Sequence, residues 1–231
     1  MNVAVIIPAL DEEPSIASVI RGLDHPSIRQ VIVGDNGSRD RTAEIALREG
    51  AEVVAVEERG YGAACAGALE MVRPEIDTVL FVDGDGSDDL SEMNRLLEPI
   101  ARGEADLVIG SRALGDVEPG ALTPQQRFGN WLATRLIRLF FGHHYTDLGP
   151  FRAIRRDTLA IIGMQDRRYG WTVEMQIRAL QIGAKVVEVP VSYRKRIGKS
   201  KISGTVTGVI KAGWWILWTI AKYGLRSAGK R

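Results

Sequence analysis

Four times within the first 82 residues, a short apolar run rich in β-formers gives way to a polar loop bearing carboxylates or glycines. Residues 3–7 lead into Ala9-Leu10-Asp11-Glu12-Glu13, and 30–34 lead into Asp35-Asn36-Gly37-Ser38. Residues 52–56 lead into Glu57-Glu58-Arg59-Gly60-Tyr61-Gly62, and 78–82 into Asp83-Gly84-Asp85. Apolar runs of this length fit strands covered on both faces, as in parallel sheets. Helical stretches at 15–22, 41–49 and 61–72 separate them; Asp40 is placed to cap the second and Gly50 to end it. Alternating strands and helices with short connections predict a doubly wound, mostly parallel α/β sheet. All four loops then fall at the C-terminal ends of strands, the edge where such sheets bind ligands.

A helix over 91–101 and a strand over 106–109 continue the pattern, and after Gly110 the rhythm changes. A Gly/Pro-containing loop (113–123) precedes a long helical stretch (124–141). A strand near 151–154, a helix over 172–181 and a strand over 185–189 follow. No linker composition or repeat interrupts the chain, so one domain over 1–203 is expected, followed by an amphipathic helix within 204–231. Residues 1–112 would bind a nucleotide-like ligand and 113–203 its partner substrate. At 231 residues and 45% hydrophobic content the chain can bury one substantial core. A net charge of +1 gives no sign of a nucleic-acid binder, although bases gather late, at Arg127, Arg135, Arg138, Arg152, Arg155, Arg156 and from Arg194 to Lys201. The single cysteine, Cys65, excludes an internal disulfide, suits a reducing compartment, and between alanines fits a small buried residue. The apolar start is too short for a secretory signal and runs into Pro8.

The chemistry concentrates at Asp83-Gly84-Asp85. Two carboxylates on a tight turn at a strand's end can hold a hard divalent cation, and that cation can neutralise a diphosphate. The plain alternative is a solvated acidic turn. The other three loops converge on the same crevice. Their carboxylates can accept from a base imide or ribose hydroxyls, and Gly60 and Gly62 permit close backbone approach at a helix N-terminus that suits phosphate. No G-x-G-x-x-G follows the first strand and no Walker A sequence exists, so dinucleotide and P-loop chemistry lack their signatures.

Near the C-terminus, Ala212 to Ala221 is an uncharged decapeptide holding Trp214, Trp215 and Trp218 between Lys211 and Lys222. Crossing a bilayer takes about 20 apolar residues. Tryptophans beside lysines instead suit a helix in the headgroup region, or one packed on the sheet or on a second subunit. Arg127, Arg135 and Arg138 among Trp131, Leu132, Leu136, Leu139 and Phe140 repeat the hint. The adjacent His143 and His144 fit loop residues rather than ligands of one ion.

Six segments carry a family resemblance: Ile6-Ile7-Pro8-Ala9-Leu10-Asp11-Glu12-Glu13, the stretch from Val33 to Thr42, Gly60-Tyr61-Gly62-Ala63-Ala64, Asp83-Gly84-Asp85, Gly110-Ser111-Arg112, and Asp147-Leu148-Gly149-Pro150-Phe151-Arg152. In that order they resemble a family 2 glycosyltransferase of the GT-A fold, in the branch of dolichol-phosphate mannose synthase and other polyprenyl-phosphate glycosyltransferases. The resemblance implies that Pro8, Leu10 and Glu12 line the nucleotide, Asp35 bonds the base, and Gly60, Gly62 and Gly84 line the nucleotide sugar. It makes Asp83 and Asp85 the D-x-D motif, Asp85 facing Mg²⁺ or Mn²⁺ and Asp83 bridging ribose and ion. Arg112 and Arg127 would grip an acceptor phosphate, with Arg152, Lys199 and Lys201 nearby.

That resemblance also implies an inverting single displacement, from a UDP- or GDP-linked hexose to a polyprenyl phosphate at the cytoplasmic face of a membrane, with a homodimer an open option. A hydroxyl acceptor would instead need a carboxylate base, Asp147 ahead of Glu174. A non-catalytic nucleotide-sugar-binding adaptor is the reading from another class. A sugar nucleotidyltransferase would need a Gly-rich, Lys-bearing first loop that this chain lacks. Two departures from the family pattern stand out. Asn36 replaces the second acid of the D-D-G-S loop, and Gly86-Ser87-Asp88-Asp89 lacks the family's Gln after D-x-D.

Overall fold

The computed structural model describes residues 1–198 and 206–228. The first half builds β1 (Val3–Ala9), α1 (Ile16–Arg21), β2 (Ile28–Asp35), α2 (Thr42–Arg48), β3 (Glu52–Ala55), α3 (Tyr61–Leu69), β4 (Thr78–Phe81), α4 (Met93–Ala101) and β5 (Leu107–Ser111). The second half adds α5 (Pro124–Phe141), β6 (Arg152–Arg155), α6 (Arg156–Ile162), α7 (Trp171–Gln181), β7 (Val186–Pro190) and α8 (Val206–Ala228). Among the described residues the strands form a seven-stranded sheet in the order β3-β2-β1-β4-β6-β5-β7. β1 pairs in parallel with β2 and β4, β2 with β3, and β5 with β7, while β6 runs antiparallel between β4 and β5. The expected α/β class and mostly parallel sheet stand, with helices on both faces.

β1 explains why the sheet is two-sided. Every residue from Val3 to Ala9 is buried, and successive side chains serve opposite cores, as the period of two requires. Val3, Val5 and Ile7 pack with Ile16, Val19, Leu96 and Leu97 from α1 and α4. Ile6 faces Cys65, Trp171 and Ile177 from α3 and α7. Fully burying each such side chain contributes about 1.5–3 kcal/mol, so truncating β1 side chains costs both cores.

The chain turns outward from β1 to β2 to β3 on one side and to β4 on the other. The order therefore reverses between β1 and β4, and the loops after these two strands lie side by side at the switch point. Local chemistry sets several element ends. Thr123 and Gln126 form a reciprocal capping box around Pro124 at the start of α5, and Gly142 ends that helix in the left-handed region at φ 74°. Arg41, not Asp40, is the capping residue of α2, yet Asp40 still accepts from the Thr42 backbone N–H at 2.9 Å. α6 was not anticipated; it starts directly after β6 with no intervening loop.

Candidate functional site

The loops at the switch point enclose a cavity of about 320 Å³ lined by Pro8, Ala9, Leu10, Glu12, Asn36, Arg59, Gly60, Tyr61, Ala64, Asp83, Gly84, Asp85, Arg168, Tyr169 and Arg196. That size suits a small-molecule ligand. Of the sequence candidates, Pro8, Leu10, Glu12, Gly60, Asp83, Gly84 and Asp85 meet there. The loop after β1 holds Asp11 in the left-handed region at φ 50°, a conformation costly for a residue with a Cβ. Two bonds hold it: the Asp11 N–H donates to Ser38 Oγ at 2.9 Å, and its carboxylate accepts from Arg39 N at 2.7 Å.

Asp35 and Gly62 lie beside the cavity rather than in its wall. The Asp35 carboxylate takes the hydroxyl and backbone N–H of Ser38. Gly62 has a steric reason for its identity: a Cβ there would sit 2.3 Å from Asp166 O, and one at Gly60 would sit 2.1 Å from Arg167 O. The start of α3 is thus pressed against the 166–168 backbone, where Ala63 N donates to Arg167 O at 2.8 Å and Gly62 N to Arg168 O at 3.1 Å.

Asn36 now has a physical account. Its Nδ2 donates to Val56 O at 3.2 Å and Glu58 O at 2.6 Å, while its Oδ1 accepts from Gly60 N at 2.7 Å. An amide can donate to two carbonyls and accept from an N–H together; an ionised carboxylate only accepts. Asn36 therefore ties the loop after β3 to the cavity wall.

The acidic turn after β4 is built from its own neighbours. Asp85 Oδ1 accepts from Ser87 N at 2.9 Å and Ser87 Oγ at 2.5 Å, and Asp88 accepts from Asp83 N at 3.1 Å. Asp89 caps the short 3₁₀ turn Leu90–Glu92 through Ser91 N. So Ser87, Asp88 and Asp89 shape the turn that presents Asp83 and Asp85. Tyr61 donates to Asp83 Oδ1 at 3.1 Å. Burial, and next the charge of Asp85, push the Asp83 carboxyl up to about 7; burial, and next Asp83, push Asp88 well above the usual range. Carboxyls gathered out of water in this way favour an added cation. Among the described residues no three His, Cys, Asp or Glu groups come together as a metal cage. The chain thus offers a pair of hard oxygen donors, which fits Mg²⁺ or Mn²⁺ with the remaining ligands supplied by a diphosphate and water.

Arg112 and Asp147 lie together outside that cavity. Arg112 Nε and Nη2 donate to the two Asp147 oxygens at 2.7 and 2.8 Å, and the Arg112 backbone N–H adds a third bond at 2.8 Å. Burial works to raise the Asp147 carboxyl, but Arg112 and the Leu148 N–H outweigh it and hold the group below its usual value. The Arg112 guanidinium stacks 5.0 Å from the Tyr193 ring. Arg127 sits in the first turn of α5, exposed.

Arg152, expected on an acceptor, is instead 1% exposed beneath this pair. It donates to the carbonyls of Leu148, Gly149 and Thr172, and burial pushes it down to about 10. Glu174 is likewise in the interior, accepting from Gln165 N, Asp166 N and Tyr223. Lys199 and Lys201 lie outside the described residues. Arg196, noted in sequence only as part of a basic run, is brought to the cavity wall, bridging Glu12 and Asp85.

Comparison with known proteins agrees with this geometry. The sequence profile described as Glycosyl transferase family 2 matches residues 4–162. An uncharacterized glycosyltransferase of Mycobacterium tuberculosis is 38% identical over 213 residues, covering 91% of this chain and 94% of that protein. The undecaprenyl-phosphate mannosyltransferase of Micrococcus luteus is 32% identical over 221 residues, covering 90% of each. Among solved structures, glucosyl-3-phosphoglycerate synthase of Mycobacterium tuberculosis, in complex with Mn²⁺, UDP-glucose and phosphoglyceric acid, superposes with a TM-score of 0.76 at 21% identity, over 96% of this chain and 79% of that one. The switch-point cavity, the paired carboxylates of β4 and these similarities lead to one assignment: the chain belongs to glycosyltransferase family 2 and has the GT-A fold.

Proposed function

We propose that the chain transfers a hexose from a UDP- or GDP-sugar to a polyprenyl phosphate, with inversion and with Mg²⁺ or Mn²⁺ at Asp83 and Asp85. The observation that carries this is the meeting of Asp83 and Asp85 with Pro8, Leu10, Glu12 and Gly60 in one cavity at the switch point. Pro8 and Leu10 offer apolar walls for a base. Asp83 and Asp85 would hold an ion whose charge would offset that building on the departing nucleoside diphosphate.

The acceptor reading rests on Arg112 and Arg127. A phosphate monoester is already anionic near neutral pH, so its oxygen attacks the anomeric carbon as the bond to the diphosphate breaks, without a base. The arginines need only orient it. Asp147 orients Arg112, whose Nη1 has no hydrogen-bond partner among the described residues. The hydroxyl-acceptor reading would make Asp147 a base, and a carboxylate held below its usual value by an arginine is poorly matched to that task. The name of the Micrococcus relative, an undecaprenyl-phosphate mannosyltransferase, supports the same choice of acceptor.

A peripheral position at the cytoplasmic face of a membrane completes the proposal. No helix among the described residues is long and apolar enough to cross a bilayer. α5 and α8 contain Arg and Lys but no Asp or Glu. Their outward stripes expose Phe128, Trp131, Trp214 and Trp218, and Arg135 lies over Trp131 at 5.2 Å, the composition of an interfacial surface on anionic lipid. The test is transfer assayed with UDP- and GDP-hexoses, a short polyprenyl phosphate or a free sugar, and Mn²⁺ or EDTA. A metal-dependent lipid-linked product is expected. Product only on the free sugar would move the acceptor to a hydroxyl, and donor binding without turnover would make the chain an adaptor.

A further inference from the structure

The strap that follows β7 crosses the acidic turn and is fastened to it along its length. Tyr193 and Asp88 form an antiparallel bridge, and Arg194 N donates to Ser87 O and Ile197 N to Asp85 O, each at 2.8 Å. Between these anchors Arg196 enters the cavity. Its Nη2 lies 2.7 Å from Glu12 Oε1, on the loop after β1, and its Nη1 lies 3.3 Å from Asp85 Oδ2, on the loop after β4. One guanidinium therefore bridges the loops after β1 and β4 that flank the switch point. The Arg196 side chain is 27% exposed and that of Asp85 9%. Its Nε is buried without a hydrogen-bond partner. The guanidinium is thus held here chiefly by charge, not by a full set of hydrogen bonds.

Carboxylates withdrawn from water need a counter-charge. At Asp85 that charge is Arg196. A divalent cation binds carboxylate oxygen at about 2.1–2.6 Å, and placing it on Asp85 sets two cations side by side in a partly dehydrated site. Their repulsion is relieved either by displacing Arg196 or by adding negative charge.

We infer that Arg196 is a built-in counter-cation that competes with the divalent ion for Asp85, so that the ion binds tightly only when a nucleoside diphosphate brings its own negative charge. This rests on the metal reading of Asp83 and Asp85 proposed above. Arg196 thereby sets an order: the ion arrives with the donor or after it, and the donor-free site does not hold a stray metal.

The experiment titrates Mn²⁺ into the full chain and follows the loss of the free-ion EPR signal, without nucleotide and then with UDP or GDP. Wild type is compared with Arg196→Ala, Arg196→Gln and Arg196→Lys. Without nucleotide, the Ala and Gln variants are expected to bind Mn²⁺ about tenfold tighter than wild type, within the usual range of coupling between sites. The Lys variant, which keeps the charge, stays near wild type. The factor by which nucleotide tightens Mn²⁺ binding shrinks in the Ala and Gln variants. A damaged fold loses affinity and does not gain it, so the direction separates this role from a structural one. Equal or weaker nucleotide-free binding in both neutral variants, with Mn²⁺ still bound alongside nucleotide, overturns the inference alone. Failure of every protein to bind Mn²⁺ with either nucleotide overturns the metal reading, and the inference with it.

Discussion

Arg112 grips Asp147 along one edge of its guanidinium, Nε and Nη2 donating at 2.7 and 2.8 Å, while its own backbone N–H closes a third bond to the same carboxylate. Asp147 is 2% exposed and Arg112 15%. Breaking such a pair leaves an uncompensated buried charge, a loss of about 3–5 kcal/mol. Asp147→Asn and Arg112→Ala should each lower the unfolding free energy by that order in denaturant titrations. The double variant should cost less than the sum, because the second change removes the stranded partner.

The same pair fixes an acid sensitivity. The folded carboxyl of Asp147 is held below its unfolded value. Its contribution is therefore fully present above the unfolded value, near 4, and is lost as pH falls through the folded one. Wild-type melting temperature should drop on acidification below about pH 4, and Asp147→Asn should flatten that part of the curve. An unchanged slope would mean the pair is not what acid breaks.

Asp83 titrates the other way. Its carboxyl is raised to about 7, so its proton-linked stability is fully present below the unfolded value near 4 and is lost as pH rises through about 7. A divalent cation needs the ionised form. Mn²⁺ with UDP or GDP should therefore raise the melting temperature more at pH 8 than at pH 6, and Asp83→Asn should remove that difference. Asp85→Ala should abolish transfer while leaving the fold intact, as judged by far-UV circular dichroism.

Asn36→Asp tests the loop clamp. The variant keeps the acceptor toward Gly60 N but loses both donors, and sets a negative charge against Val56 O and Glu58 O. A buried polar group left without its partner costs about 1–3 kcal/mol. Lower stability and weaker donor binding should appear together in calorimetry. Stronger binding would show that the second acid of the family pattern suits this site better than the amide does.

The exposed tryptophans of α8, Trp214 and Trp218, are 67% and 54% exposed. Replacing both with serine should reduce co-sedimentation with anionic vesicles, whose binding should also weaken with salt. Melting temperature should hardly change, since neither side chain is buried. Retained vesicle binding would move the membrane contact elsewhere.

The sheet and the acidic turn were legible because each rests on local pattern. Residues 3–7 and 78–82 read as buried strands, and the helical stretch read over 124–141 has the observed bounds of α5. What escaped notice depends on distance or crowding. Arg196 meets Glu12 across 184 positions, and no window of sequence links them. Arg152 was read beside the acceptor phosphate, because its burial comes from the carbonyls of Leu148, Gly149 and Thr172, the last of them distant in sequence. α6 was hidden because a strand passes into it through three consecutive charged residues, Arg155, Arg156 and Asp157, with no turn between. Gly62 was read for phosphate, whereas the visible demand on it is the backbone carbonyl of Asp166.

Antiparallel β6 has one more consequence. Because it slots between β4 and β5, the chain leaves the sheet after Ser111 and returns at Arg152, and the two crossings are neighbours. Gly110 N donates to Phe151 O at 2.8 Å, Ser111 meets Thr146 at 2.7 Å, and Arg112 meets Asp147. The stretch between them, α5 included, is a detour closed at its neck. The exposed face of this detour can change its chemistry without shifting a strand register, while Ala133, Ile137, Tyr145 and Leu148 keep it packed in the core. Selection, or an engineer, can rework what this part of the surface touches while the pocket between β1 and β4 stays as it is.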